Sequence, residues 1–236
     1  MAVGILSGGG GGAVASETYD EAVAAMDSGL VHRWWCDDAS GALVDSVGGL
    51  SLAVTGTVTR QVVDPWAAAS AITFAAGARA EAAAIGSMPL AAADRTMVAV
   101  YKLGPTLATS QRLAYYGNTS LTRATFGWLL GAAGEQISGW VALDDLAVAL
   151  GAEDGDWHIT ALRLSAARKL LLMFDGRYDA RRLGGDAATS GVSSLPTLGF
   201  SGNTVPLTVA DWAVWNRALT RGELDRLWHA LEAARA

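Results

Sequence analysis

Apolar and polar positions alternate in short runs through most of the chain, and the clearest pattern lies in its last third. Trp157-His158-Ile159-Thr160-Ala161-Leu162 opens one strand and Leu170-Leu171-Leu172-Met173-Phe174 makes a second. Asp175-Gly176 turns the chain back through Arg177-Tyr178, a two-residue hairpin signal, because both turn positions must adopt positive φ. Residues 207–215 read as a closing strand. Upstream, residues 31–36 form a compact aromatic strand, followed by turns at 37–41 and 45–49. Residues 50–63 hold short Val/Thr-rich strands around Gly56, and further strands are predicted at 71–74, 95–103, 113–116, 125–130 and 136–143. Residues 80–84 fit either a bent edge strand or a helical turn. Short strands at roughly 8–12-residue spacing, separated by turn residues, predict an all-β antiparallel sandwich of the jelly-roll kind.

Two helices interrupt this pattern. Thr18-Tyr19-Asp20-Glu21 is a capping box, with Ala22, Val23, Ala25 and Met26 continuing the helix and Gly29 placed to end it. Thr220-Arg221-Gly222-Glu223 is a second box, and Leu224, Leu227, Trp228 and Leu231 lie on one helical face. Five consecutive glycines, 8–12, form a tether, since glycine loses the most backbone entropy on ordering. The chain therefore divides into an arm, 1–29 (an extended piece, the tether and a short helix), and a sandwich domain, 30–236. The arm is expected to dock on neighbouring subunits.

Composition narrows the function classes. With 51% hydrophobic and 17% charged residues, 236 residues support one sizeable core. Net charge is −6, and no basic stripe interleaves with aromatics, which argues against nucleic acid. No run is long and apolar enough to span a membrane, and no Lys or Arg precedes the short apolar stretch at 2–6, so no secretory signal is visible. Cys36 is the only cysteine and is assigned to the core beside Trp34 and Trp35; an intrachain disulfide is impossible.

Candidate chemistry is sparse. His32, His158 and His229 show no metal-ligand spacing, and His158 is expected to be a satisfied, partly buried histidine. Glu153-Asp154-Gly155-Asp156 is bounded by glycine and reads as a loop. Of nine tryptophans, Trp34, Trp157, Trp212 and Trp215 sit in apolar strands and are assigned to the core. Trp66, Tyr101, Tyr115, Tyr116, Trp128 and Trp140 are the candidates for stacking on a sugar or anchoring an interface.

At several of these segments the chain resembles the laminin-G-like, concanavalin-A-like jelly-roll family, over residues 30–231. Trp34-Trp35 followed by Asp45 is similar to its opening strand and Asp-containing turn. Ala71-Ile72-Thr73-Phe74 and the run from Arg95 to Lys102 resemble its apolar-Phe and long central strands. Trp157-His158, Leu172-Met173-Phe174-Asp175-Gly176, Leu198-Gly199-Phe200 and Trp215-Asn216-Arg217-Ala218-Leu219 resemble its later elements. The resemblance implies a fold shared by lectins, adhesive modules, glycanases and virion proteins. Glycanase relatives carry a Glu-x-Asp-x-Glu strand that is missing here, so no catalytic residue is assigned. Some relatives bind calcium. The weak ligand candidates are Asp37, Asp38, Asp45 and Asp211, but the family's acidic pair reads Ala210-Asp211 here, one acid short.

The resulting expectation is a non-enzymatic structural and interaction protein with no cofactor. A bacteriophage virion component (tail, baseplate, fibre or capsid decoration) fits the arm and the missing carboxylates. It would be a homo-oligomer contacting other virion proteins, assembled in the host cytoplasm. The alternative is a lectin-like module binding cell-surface glycan, and a glycoside hydrolase is the third reading.

Overall fold

The computed structural model describes residues 17–66, 70–103, 111–119, 123–131, 136–140, 146–149, 155–189, 195–199 and 202–235, with the backbone alone at 136–138, 140 and 146–149. Two antiparallel sheets face each other. The first has the order β13 (Arg177–Arg182), β12 (Lys169–Phe174), β11 (His158–Ser165), β6 (Arg95–Leu103), β15 (Leu207–Trp215), β4 (Ala71–Phe74), β3 (Val58–Val62), with β1 (Leu30–Trp34) also paired to β15. The second runs β10 (Leu146–Ala149), β9 (Gln136–Trp140), β8 (Thr125–Leu130), β7 (Gln111–Gly117), β14 (Thr197–Gly199), β5 (Arg79–Ala82), β2 (Leu52–Thr55). The antiparallel sandwich expected from the strand spacing is thus the observed fold. The ambiguous segment at 80–84 begins as strand β5.

Apolar side chains collect in two layers. Between the sheets lie Trp34, Phe74, Tyr101, Tyr116, Phe126, Trp128, Leu162, Leu172 and Trp212. On the outer face of the first sheet lie Val98, Val100, Ile159, Met173 and Trp215, covered by α1 (Tyr19–Ala24) and α2 (Arg221–Arg235). Both faces of β15 are therefore enclosed, and all nine of its residues are buried. A β-bulge between Val209 and Asp211 lets Val209 and Trp212, three positions apart, both join the inner layer. Strict alternation would have put them on opposite faces.

The two capping boxes form as expected. Thr18 N–H donates to Glu21 Oε2 (2.9 Å) while Glu21 N–H donates to Thr18 Oγ1 (3.2 Å). Thr220 and Glu223 repeat the exchange at 2.6 and 3.2 Å. Asp175 and Gly176 both take positive φ, 43° and 71°, as the hairpin requires. A Cβ on Gly176 would lie 2.6 Å from Trp228 Nε1, so this turn also lets α2 approach the sheet.

One division differs from the sequence reading. The helix assigned to a docking arm belongs to the sandwich: Tyr19, Ala22, Val23 and Met26 are buried in the outer layer. Trp215 Nε1–H donates to the Met26 carbonyl at 2.8 Å, and Arg226 pairs with Glu17. The physical cause is the apolar stripe at i, i+3, i+4 and i+7, which needs a covering surface and finds it within the chain. Residues 1–16 lie outside the described residues. Trp157, assigned to the core, is only half-buried, at the edge of the outer layer with Lys102 Nζ 5.3 Å from its ring centroid.

Candidate functional site

The end of β1 sends two adjacent tryptophans to opposite sides. Trp34 enters the inner layer, where its ring stacks on Trp212 (centroids 4.5 Å apart) and its indole N–H donates to the Leu50 carbonyl at 2.7 Å. Trp35 turns outward and remains half-buried. It stacks on Trp66 at 5.1 Å, which in turn stacks on Tyr19 of α1 at 5.0 Å. The Arg33 guanidinium lies 4.2 Å over the Trp35 ring. A cleft of about 530 Å³ opens here, lined by Asp20, Arg33, Trp35, Asp37, Asp38, Val44 and Ser46.

Arg33 organises the floor of this cleft. Its Nη1 pairs with Asp20 Oδ1 at 2.6 Å and its Nε with Asp211 Oδ1 at 3.3 Å. Burial alone would lower its pKa, but Asp211, Tyr19 and Asp20 hold it above the usual value. Burial raises the carboxyl of Asp211 despite the neighbouring Arg33, and burial with the Asp211 charge raises the Tyr19 phenol. Arg33 Nη2 is enclosed and finds no acceptor among the described residues. Around the rim, Asp38 Oδ2 accepts the Val44 N–H at 2.8 Å, and Val44 is 54% exposed. Arg60 donates to the carbonyls of Asp38 and Gly41. Hydrogen-bond donors, acceptors, an aromatic edge and an exposed aliphatic side chain thus converge on one concavity, the composition of a small polar-ligand site.

Beside the cleft, Ser87 Oγ lies 3.0 Å from His32 Nε2, and His32 Nδ1 lies 2.6 Å from Asp45 Oδ2. These are the contacts of a hydrolase triad, but the same pair recurs without a serine. His158 Nδ1 lies 2.6 Å from Asp175 Oδ2, and in each pair the N–H after the histidine donates to Oδ1 of the aspartate: Arg33 to Asp45 at 2.9 Å, Ile159 to Asp175 at 3.0 Å. Asp45 further accepts the N–H groups of Val47, Gly48 and Leu50. Burial would raise its carboxyl, but these bonds and His32 hold it well below the usual range. A Cβ on Gly48 would lie 2.5 Å from His32 Nδ1, so the imidazole is clamped under its turn. Both units are staples that fasten a turn to a strand start.

The sequence candidates separate accordingly. Tyr101, Tyr116 and Trp128 are fully buried between the sheets, so their rings offer no face for stacking. Tyr115 is 5% exposed, with the Arg112 guanidinium 5.2 Å from its ring centroid. Trp66 lies in the outer stack behind Trp35. Trp140 sits opposite Gly127, which sits opposite Tyr115, in one row across the second sheet; the Trp140 side chain is outside the described residues. Asp37 and Asp38 line the cleft, Asp45 is saturated by its turn, and Asp211 is buried under Arg33. Among the described residues no three His, Cys, Asp or Glu side chains converge to hold a metal ion. Cys36 is buried, and burial raises its thiol pKa well above the usual value. The acidic segment 153–154 lies outside the described residues. Sequence reasoning missed Trp35, Arg33 and Asp20 as a group. The available signal was parity: if Trp34 is core, Arg33 and Trp35 face the other way.

No family model matches the chain, and no curated protein matches it in sequence. Its fold does match solved structures. The botulinum neurotoxin serotype D binding domain superposes with a TM-score of 0.63 at 11% identity, over 88% of this chain and 52% of that one. A structure of botulinum neurotoxin type C, whose cell entry is dependent upon interaction with two ganglioside molecules, gives 0.61 at 10% identity, over 89% and 53%. The serotype D domain is also represented in complex with N-acetylneuraminic acid, at a TM-score of 0.62 and 11% identity, over 88% and 52%. Trypanosoma rangeli sialidase gives 0.60 at 15% identity, over 87% of this chain and 33% of the enzyme. The chain spans about half the length of the toxin domains and a third of the sialidase. At these identities the likeness establishes the fold alone, a jelly-roll β-sandwich of the kind found in these domains.

Proposed function

We propose that this chain is a non-catalytic binding module whose Trp35 cleft takes a hydroxyl-rich carbohydrate. The observation that carries this reading is the mixed polarity of the cleft. Asp20, Asp37 and Asp38 present carboxylate acceptors in the lining beside the Ser46 hydroxyl. A sugar hydroxyl both accepts and donates, so one ligand type serves both. The partly exposed ring of Trp35 and the side chain of Val44 add apolar contact for the C–H faces of a pyranose. The fold shared with toxin domains that interact with gangliosides or are seen bound to N-acetylneuraminic acid supports the choice of ligand class by analogy. The virion role suggested by the glycine tether and missing carboxylates would place such a module on a particle surface, and detection of the chain in purified particles would test it.

The test is a glycan array with the wild-type chain and Val44→Trp. Val44 is exposed at the rim, so the indole should fill the cleft with little effect on folding. The expected result is a defined set of bound glycans that Val44→Trp no longer retains, with melting temperature nearly unchanged. Retention of the same glycans by Val44→Trp would place the site elsewhere.

A further inference from the structure

Charge is distributed unevenly around the cleft. Asp20, Asp37 and Asp38 line it against one lining cation, Arg33. That cation is already held between two carboxylates, at 2.6 Å to Asp20 and 3.3 Å to Asp211, and Asp211 is wholly buried beneath it. Arg60, close to the rim, gives its guanidinium to the carbonyls of Asp38 and Gly41. Asp37 is exposed and engages no partner among the described residues, while Asp38 commits one oxygen to the Val44 N–H. Open carboxylate oxygens therefore outnumber open cationic donors at the mouth of the cleft.

We infer that the cleft selects against acidic sugars and takes neutral or amino sugars, with a ligand amine directed to Asp37 and Asp38. This rests on the carbohydrate reading above. A ligand carboxylate within about 4 Å of one Asp, in a water-like medium, loses roughly fivefold in affinity, and an amine gains about as much. Arg33 cannot offset the repulsion without leaving Asp20 or Asp211, and leaving Asp211 would strand a buried charge. In ligand class the chain thus departs from the toxin domain solved with N-acetylneuraminic acid, an acidic sugar. Because Asp37 is exposed, the preference must weaken with ionic strength.

The experiment is equilibrium binding to an array holding neutral, amino and sialylated sugars, at low and high salt, with the wild-type chain and the double substitution Asp37→Asn, Asp38→Asn. Asparagine keeps an acceptor for the Val44 N–H, so the rim should remain folded. The expected result is glucosamine oligomers bound about 25-fold more tightly than sialylated sugars at low salt. High salt and the double substitution should each shrink that gap to within about threefold. Sialylated sugars bound as tightly as the amino set, or a gap that the double substitution leaves intact, overturns the charge selection and leaves the carbohydrate reading standing. Absence of binding across the whole array overturns both.

Discussion

Trp34 and Trp35 are neighbours in sequence and opposites in role. Trp34 is fully buried, stacked on Trp212 and hydrogen-bonded to the Leu50 carbonyl. Trp35 is half-buried, held between the Arg33 guanidinium and Trp66 at the edge of a polar cleft. Strand alternation alone separates them. One residue type at adjacent positions therefore closes the inner layer on one side and lines a concavity on the other. The sandwich fixes the cleft from behind, since Arg33 shares β1 with Trp34 and reaches across to Asp211 on β15.

Substitutions should break this pairing unequally. Trp34→Ala removes a ring enclosed on all sides and should lower unfolding stability by ~3–5 kcal/mol, measured by urea titration. Loss below ~1 kcal/mol would mean that the inner layer does not depend on this stack. Asp45→Ala comes next. It leaves His32 and the N–H groups of Arg33, Gly48 and Leu50 without their acceptor, and should cost about 3 kcal/mol. If Ser87 and His32 were instead a catalytic pair, a serine-directed fluorophosphonate would label Ser87; the staple reading expects no adduct by mass spectrometry.

Acid should expose the same staple. The folded pKa of Asp45 lies below the unfolded value of about 3.9, so its contribution is complete above that pH and is lost as pH falls through the strongly acid range. Glu223 behaves likewise: its hydrogen bond from Arg217, opposed by burial and aided by the Thr220 cap, holds it at about 2. Its share fades as pH drops from about 4.3 towards that value. Wild type should therefore lose more stability between pH 5 and pH 2 than Asp45→Asn does. Parallel curves would show that Asp45 is not charged in the folded state. Trp35→Ala should cost less than Trp34→Ala, about 2 kcal/mol, since part of its ring already faces water. Glu223→Ala should cost about 1 kcal/mol through the lost cap.

Local signals were legible in the sequence and long-range ones were not. The capping boxes at Thr18 and Thr220 and the Asp175-Gly176 turn are read within four residues, and each forms as expected. The strand spacing gave the antiparallel sandwich for the same reason. The fate of individual aromatics was less accessible. Tyr101, Tyr116 and Trp128 lie on strands whose inward parity is set by pairing partners and by bulges, such as the shift between Arg112 and Tyr115. The Arg33–Asp211 pair joins positions 178 apart in sequence, and the bulge beside Asp211 breaks the alternation that would have located it. The helix at Tyr19 carried its own evidence, a stripe at helical spacing, but the glycine tether before it suggested an arm. Which surface covers a stripe is a tertiary fact, and here the outer face of β15 and α2 supplies it.

The most direct measurement is calorimetric titration of a glycan retained by the array into wild type and Trp35→Ala, each also melted without ligand. The account predicts at least tenfold weaker binding by Trp35→Ala, with the fold retained. Equal affinity in the two proteins would contradict the assignment of the cleft as the binding site.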